Sequence, residues 1–250
     1  MRSISVVILT KNSECYLSAC LDALREFDEV IILDNGSTDA TLSIASSYPN
    51  TTIHRHDFIG FGPMKNLGAS LAKHDWILSI DSDEVMTDEL LSSISSLTLD
   101  PRCVYGFSRL NHYAGKPIKC CGWYPDVILR LYHRAMTSYG DKLVHESLNL
   151  QGVEVKILKG NLRHYSFDNV EGLLTKLQHY STLYAQEHAG RKKITPTMAV
   201  IKTIFSFFRN YILQRGCLYG WQGLLISVSN ACGVFYKYMK LYEENLRRGM

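Results

Sequence analysis

The chain has 250 residues, of which 46% are hydrophobic and 20% are charged, a composition that excludes an intrinsically disordered chain. The net charge is only +3, but residues 187–250 carry ten Lys and Arg against three Glu, which leaves an acidic front part and a basic tail. The seven irregularly spaced cysteines predict reduced thiols in a cytoplasmic protein and argue against a zinc site. The N-terminal residues lack the pattern of a signal peptide.

The first hundred residues alternate between short apolar runs and helical patterns. The runs predict strands that are buried on both faces, at Ile4–Leu9, Val30–Leu33 and Trp76–Ile80. Apolar spacing and capping signals predict helices at Tyr16–Phe27, Thr38–Tyr48 and Pro63–Lys73. This alternation predicts an α/β fold of Rossmann-like type, with a mostly parallel central sheet and helices on both faces. Ligands of such sheets bind beyond the carboxyl ends of the strands.

After residue 97 the pattern changes. Two segments alternate in polarity and predict antiparallel strands, Val104–Tyr113 and Asp126–His133, and a further strand is predicted at Val153–Leu158. From Asn169 onward the chain has helical patterns. We therefore expect an α/β domain over residues 1–168 and a C-terminal helical extension over residues 169–250.

The Asp-Ser-Asp sequence at residues 81–83 directly follows a predicted buried strand. Residues two apart in a strand point to the same side, so Asp81 and Asp83 can approach one hard cation together. Mg²⁺ and Mn²⁺ prefer such oxygen ligands and often bridge to substrate phosphates. A solvated turn that caps the next helix explains the same residues, and the pattern alone leaves both interpretations open.

Polar residues also follow the first two predicted strands. Asp34 and Asp39 enclose a glycine turn after the second strand, where they can accept hydrogen bonds from a nucleotide or simply cap a helix. Thr10 and Asn12 close the first strand and are expected to line the same crevice.

Lys65 and Asn66 lie near the start of the third predicted helix, after two glycines. The N-terminus of a helix attracts anions, and a lysine there can neutralise a diphosphate. A surface lysine without a ligand is the alternative. Lys65 and Asn66 are therefore candidate contacts to the phosphates of a nucleotide.

These motifs occur in a characteristic order: Thr-Lys-Asn at 10–12, Asp-Asn-Gly-Ser-Thr-Asp at 34–39, Lys-Asn-x-Gly at 65–68 and Asp-Ser-Asp at 81–83. The order resembles the GT-A domain of glycosyltransferase family 2 over about residues 3–100. The resemblance implies a nucleotide diphosphate sugar donor, a UDP-sugar first among them, a divalent Mg²⁺ or Mn²⁺, and inversion at the anomeric carbon. By the same resemblance Asp34 and Asp39 hold the nucleoside, and Asp81 and Asp83 hold the ribose and the metal–diphosphate.

The second half is similar to a narrower group. Cys-Gly-Trp-Tyr-Pro-Asp at 121–126, Arg-Leu-Tyr at 130–132, Val-His-Glu at 144–146 and His-Tyr-Ser at 164–166 resemble the lipopolysaccharide-core β-1,4-glucosyltransferase type. This resemblance implies a lipopolysaccharide-core or other lipid-linked acceptor and glucose as a candidate sugar.

The base of the reaction has two candidates, because the sequence departs from the Glu-Asp pair common in the wider family. Glu146 is the first candidate and Asp126 the second, and each can instead be a salt-bridged structural carboxylate. His164 is a candidate metal ligand, with a structural histidine as the alternative.

The basic tail combines Arg191, Lys192 and Lys193 with an apolar stripe at helical spacing, formed by Ile201, Ile204, Phe205, Phe208 and Ile212. A basic amphipathic helix predicts peripheral binding to the anionic inner face of the cytoplasmic membrane. A helix packed on the catalytic domain is the alternative. No nucleic-acid partner is expected.

Two other functions compete with glycosyl transfer. A catalytically silent nucleotide-sugar-binding scaffold is the first, and the retained carboxylates count against it. A sugar-phosphate nucleotidylyltransferase is the second. It is disfavoured because Thr-Lys-Asn-Ser at 10–13 replaces the glycine-rich, basic loop expected after the first strand.

Overall fold

The computed structural model describes residues 3–140 and 147–249. Its strands are β1 (Ile4–Thr10), β2 (Glu29–Asp34), β3 (Thr51–Arg55), β4 (Trp76–Asp81), β5 (Glu84–Met86), β6 (Cys103–Tyr113), β7 (Lys116–Pro117), β8 (Asp126–His133) and β9 (Glu154–Phe167). Its α-helices are α1 (Glu14–Asp22), α2 (Thr41–Ser46), α3 (Phe61–Leu71), α4 (Asp88–Ser96), α5 (Val170–His188), α6 (Pro196–Phe208) and α7 (Gly220–Arg247). A π-helical segment, Arg209–Leu213, and a 3₁₀ turn, Gly216–Tyr219, connect α6 to α7.

Contacts divide the chain into two compact units. The first comprises Met1–Leu110 and Asp126–His164, and the second comprises Asn111–Pro125 and Tyr165–Met250. Residues 111–125 belong to the second unit because they pack with its helices: the Cys121 N–H, for example, donates to the carbonyl of Gln214 at 3.0 Å. The single boundary predicted at residue 168 stays a prediction.

One mixed sheet runs through the described strands in the order β3-β2-β1-β4-β8-β6-β9-β5, with β7 paired to β6. β1 is parallel to β2 and β4, and β2 is parallel to β3, whereas β4 and β8 are antiparallel. Side chains of β1 alternate between two apolar clusters: Ile8 packs with Leu17 of α1, and Val7 packs with Ala69 of α3. The predicted α/β sheet with helices on both faces is therefore confirmed.

Several element boundaries differ from the prediction. β3 was not predicted, because it is a half-buried edge strand in which Ile53 is the one aliphatic residue. α1 ends at Asp22, and the apolar residues that suggested a longer helix, Leu24 and Phe27, are buried in the turn that follows. β9 continues well beyond the predicted Leu158.

In the second unit, α7 packs along both α5 and α6 around Ala185, Ala199 and Leu241. The predicted apolar stripe of α6 and the π-helical segment faces away from this core. All five of its side chains are more than half exposed: Ile201, Ile204, Phe205, Phe208 and Ile212. Across the described residues, no helix combines the length and the apolar composition needed to span a bilayer.

Candidate functional site

The loops that follow β1 and β2 are tied together at the carboxyl edge of the sheet. Asp34, which is 1% exposed, accepts from the Thr10 hydroxyl and from the N–H groups of Gly36 and Ser37, each at 3.0 Å. Burial by itself raises the pKa of Asp34, but the bonds from Ser37, Gly36 and Thr10 outweigh it and hold the pKa below its usual value. Asp34 therefore fixes the shape of this loop as an ionised acceptor.

Asn12 and Asp39 also link the loop after β1 to the loop after β2. The Asn12 N–H donates to Ser37 Oγ at 2.9 Å, and the Asn12 side-chain oxygen accepts from the Thr38 N–H at 2.9 Å. Asp39 accepts from the Glu14 N–H at 3.2 Å, which ties the loop to the start of α1. The structure thus brings Thr10, Asn12, Asp34 and Asp39 into one hydrogen-bonded region, and their contact with a nucleotide stays a prediction.

An open cleft of about 510 Å³ lies at this edge. Its lining comprises Asp34, Gly36, Ser37, Arg55, His56 and Asp57. The last three follow from the end of β3, and sequence reasoning missed them together with that strand. The His56 N–H donates to the Asp34 carbonyl at 2.9 Å, so the two sides of the cleft are directly linked. The cleft has the size and polarity of a site for a small polar ligand.

Asp81, at the end of β4, sits between two cations. Its Oδ1 lies 3.3 Å from Lys65 Nζ and its Oδ2 lies 2.7 Å from Arg130 Nη2. Burial raises the pKa of Asp81, but Arg130 and then Lys65 outweigh it and hold the pKa well below its usual range. Both carboxylate oxygens are thus engaged by side chains in this structure.

Lys65 and Asn66 lie deeper in α3 than the helix start at which the sequence places them, and Lys65 is not the surface lysine of the alternative interpretation. α3 begins at Phe61, so Lys65 lies more than a turn inside it; its side chain is 1% exposed and its Nζ lies 5.3 Å from the ring centre of Tyr139. The Asn66 amide donates to the Tyr139 carbonyl at 2.8 Å and accepts from the Tyr139 N–H at 2.9 Å. Here Lys65 neutralises Asp81, and Asn66 holds the backbone at Tyr139.

Glu84 is a buried carboxylate that sequence reasoning left without a role. Its side chain is fully buried; Oε2 accepts the Asp81 N–H at 2.9 Å, and Oε1 lies 3.6 Å from Arg130 and 3.5 Å from Arg109. Burial and the neighbouring Asp81 raise the pKa of Glu84. The only sequence signal for it is its position directly after Asp83.

Arg109 extends this arrangement to Asp126. Its Nε and Nη2 both donate to Asp126 Oδ2, at 2.8 and 2.7 Å. Three carboxylates and three cations thereby form one continuous ion-pair network, made of Lys65, Asp81, Glu84, Arg109, Arg130 and Asp126. Asp126 thus belongs to the same ion-pair network as Asp81 of the Asp-x-Asp motif. The network also contains Arg109 and Arg130, which were not predicted as site residues.

Asp83 and His164 form a separate pair at the edge of the network. β5 and β9 are antiparallel, with His164 opposite Glu84, and His164 Nε2 lies 3.3 Å from Asp83 Oδ2. One carboxylate and one imidazole fit a divalent ion that takes its other ligands from substrate phosphates. Among the described residues, no group of three or more His, Cys, Asp or Glu is placed to hold a metal alone. Glu146 and His145 lie outside the described residues.

The geometry agrees with comparisons to known proteins. The glycosyl transferase family 2 model matches residues 5–117. An uncharacterized glycosyltransferase of Rickettsia typhi is 27% identical, and the match covers 99% of this chain and 89% of that protein. Residues 5–117, a little under half of this chain, thus match glycosyltransferase family 2.

Two further proteins are similar to this chain. The lipopolysaccharide core biosynthesis glycosyltransferase LpsC of Rhizobium meliloti is 24% identical, over 97% of this chain and 93% of LpsC. The mannosyltransferase PcManGT from Pyrobaculum calidifontis, solved in complex with GDP-Man and Mn²⁺, superposes with a TM-score of 0.55 at 12% identity, over 99% of this chain and 88% of PcManGT. The GT-A fold expected from the sequence is thus confirmed.

Proposed function

We propose that this family 2 enzyme transfers a sugar, with glucose as the first candidate, from a nucleotide diphosphate donor to a lipopolysaccharide-core or other lipid-linked acceptor, with inversion. One observation carries the proposal: the cleft beside Asp34 and the Asp-x-Asp motif flank the same strand. In β1, Thr10 is in register with Asp34 of β2, and Leu9 is in register with Asp81 of β4. A nucleoside in the cleft therefore has its phosphates within reach of Asp81 and Asp83.

The donor site follows from this placement. The Asp34 loop offers polar groups to a base and ribose, and Arg55 and His56 line the opposite side. A UDP-sugar is the first candidate donor, and Mg²⁺ or Mn²⁺ is the expected ion; the complex of PcManGT with GDP-Man and Mn²⁺ supports a nucleotide sugar together with a divalent metal.

We assign the metal site to Asp83 and His164, because they form a carboxylate–imidazole pair at 3.3 Å. An ion held by these two residues would supply positive charge to the departing diphosphate. Asp81 remains a predicted ligand of the metal and the ribose; its two cationic partners favour the ribose role, since a metal at Asp81 has to compete with Arg130 and Lys65.

The acceptor hydroxyl has to lose a proton during inverting transfer, which requires a base beside it. One oxygen of Asp126 already accepts both bonds from Arg109. This pairing supports the order in which Glu146 is the first candidate for the base and Asp126 the second.

The acceptor class rests on the similarity to LpsC and on the exposed apolar stripe of α6. A stripe of aliphatic and phenylalanine side chains beside Lys202 and Arg209 suits the boundary of an anionic leaflet. We propose that the C-terminal helices dock the enzyme on the inner face of the cytoplasmic membrane, where a lipid-linked acceptor is concentrated.

A panel of nucleotide sugars tests the catalytic proposal. The purified protein is incubated with each donor and Mg²⁺ or Mn²⁺, and release of the nucleotide diphosphate is measured with and without lipopolysaccharide-core acceptor. Turnover of one donor that rises with acceptor supports the enzyme. Donor binding without release for every sugar, seen by calorimetry, supports the silent scaffold instead.

A further inference from the structure

Three lysines of the second unit surround two packed tyrosines. Tyr184 of α5 and Tyr238 of α7 meet edge to face, with ring centroids 5.8 Å apart. Lys192 Nζ lies 5.6 and 5.8 Å from the two centroids, and Lys237 Nζ lies 4.8 and 5.1 Å from them. Lys202 Nζ of α6 lies 5.5 Å from the Tyr238 centroid. We call Lys192, Lys202 and Lys237 the lysine cluster; its members come from three different segments.

The segment that carries Lys192 is held in place by α7. The buried side chain of Asn245 accepts from the Gly190 N–H at 3.0 Å and donates to the Lys192 carbonyl at 2.9 Å. Lys192 Nζ in turn donates to the Tyr184 hydroxyl at 2.9 Å. The bond to Tyr184 raises the pKa of Lys192, which keeps the ammonium charged at neutral pH. Lys192 is therefore held beside Tyr184 before any ligand arrives.

Among the residues that the structure describes, no carboxylate balances the charge of the lysine cluster. Within residues 3–140 and 147–249, no Asp or Glu forms an ion pair with any of the three lysines. Cation–π contacts with tyrosine stabilise each ammonium only modestly, and like charges held near each other repel. An anion with several acceptor oxygens can pair with more than one ammonium group, and a phosphate is the common biological group of this kind.

The neighbouring surface indicates where such a phosphate comes from. Lys202 directly follows Ile201 in the exposed apolar stripe of α6, and Leu218 and Trp221, near the start of α7, are exposed as well. A free phosphate ion makes no favourable contact with an apolar surface, whereas a phospholipid carries acyl chains that can contact the apolar stripe while its phosphate binds the lysines. Basic and aromatic residues around an apolar face are typical of proteins that bind membrane interfaces.

We propose that the lysine cluster binds the phosphate of an anionic membrane lipid while the apolar stripe enters the adjoining acyl boundary. The inference rests on the membrane docking proposed above and adds a defined headgroup site to it. Binding to the leaflet then depends on the positions of these three lysines and not only on the net positive charge of the second unit.

Co-sedimentation of the full chain with vesicles tests the site. The cluster variant replaces three lysines by glutamine, Lys192→Gln, Lys202→Gln and Lys237→Gln. The control variant removes the same charge from three exposed positions for which no contact with Tyr184 or Tyr238 is described, Arg191→Gln, Lys193→Gln and Arg247→Gln. On phosphatidylcholine vesicles containing phosphatidylglycerol, the cluster variant is expected to lose about tenfold more affinity than the control, the equivalent of one charge-assisted hydrogen bond. Circular dichroism checks that both variants fold.

Two further arms separate the possible failures. On phosphatidylcholine vesicles whose net negative charge comes from oleate, both variants should weaken equally, because the net charge then lies on carboxylates and each phosphate is paired with its own choline. If the cluster variant and the control variant lose equal affinity for vesicles that contain phosphatidylglycerol, the headgroup site is wrong but membrane docking is not. The double variant Phe205→Ser/Phe208→Ser then tests the docking. If the wild-type protein does not co-sediment with any anionic vesicles, both the docking and the headgroup site are wrong. Full competition by millimolar glycerol phosphate would show that the site serves a soluble phosphate rather than a lipid.

Discussion

The charge of Asp81 is predicted to stabilise the first unit, because its partners are buried. Lys65 and Arg130 have side chains that are only 1% and 8% exposed, whereas Asp81 is 36% exposed. Removing one partner of a buried ion pair costs about 3–5 kcal/mol. The partial exposure of Asp81 and the remaining contact of Arg130 with Glu84 at 3.6 Å reduce this cost. We expect Asp81→Asn to lower the free energy of unfolding by about 2–3 kcal/mol at pH 7.

The effect has a defined pH dependence. Although burial opposes it, Arg130 and Lys65 hold the pKa of Asp81 below the unfolded value of about 3.9. The contribution of the carboxylate is therefore complete above about pH 5, and it is lost as the pH falls below about 4 toward the folded-state pKa. The difference between wild type and Asp81→Asn should accordingly narrow in acid.

Urea unfolding of wild type and variant, followed by circular dichroism at pH 7 and at pH 3.5 to 4, measures both quantities. Asp75→Asn is the matched control: Asp75 pairs with Arg134 at 2.9 Å but is 60% exposed, so its loss should cost less than about 1 kcal/mol. The reasoning is refuted if the two variants are equally stable at pH 7, or if the difference for Asp81→Asn grows in acid.

Two more predictions concern packing and the base. A Cβ added to Gly68 lies 2.3 Å from Val7 Cγ1, so Gly68→Ala should lower the free energy of unfolding by about 1–3 kcal/mol. A Cβ added to Gly233 has its nearest contact at 3.7 Å, so Gly233→Ala should stabilise the protein slightly. Thermal unfolding compares the two variants, and equal changes in melting temperature would contradict the close approach of α3 to β1. Glu146→Gln should lower kcat by about 10²–10⁴-fold with little loss of donor binding, and Asp126→Asn should lower it less; the opposite order in steady-state kinetics exchanges the two roles.

The sequence predicted those parts of the fold in which burial is uniform along the chain. β1, β2 and β4 are the inner parallel strands, and their unbroken apolar runs reflect burial on both faces. β3 lies at the edge with a half-buried pattern, so its sequence carried too little hydrophobic signal. The residues that line the cleft after β3 were lost with it.

The site was predictable where motifs follow strands and unpredictable where partners come from distant segments. Thr10, Asp34 and Asp81 follow neighbouring strands, so their proximity could be deduced from the order of the elements. Arg130 reaches Asp81 because β8 pairs antiparallel with β4, a long-range pairing for which the sequence contains no local sign. A lysine in a helix is usually a surface residue, and the burial of Lys65 is explained by its ion pair with Asp81 and its contact with the Tyr139 ring, which the sequence does not reveal.

The most direct test of the central claim is nucleotide diphosphate release by Asp83→Ala, measured beside wild type with the preferred donor and a titration of Mn²⁺. Asp83 pairs with His164 at the proposed metal site, and Asp88, an exposed carboxylate at the start of α4, provides the control variant Asp88→Ala. We predict that Asp83→Ala loses about two to three powers of ten in rate at every Mn²⁺ concentration, while Asp88→Ala keeps wild-type turnover. Wild-type turnover by Asp83→Ala at saturating Mn²⁺ would contradict the assignment of the metal site.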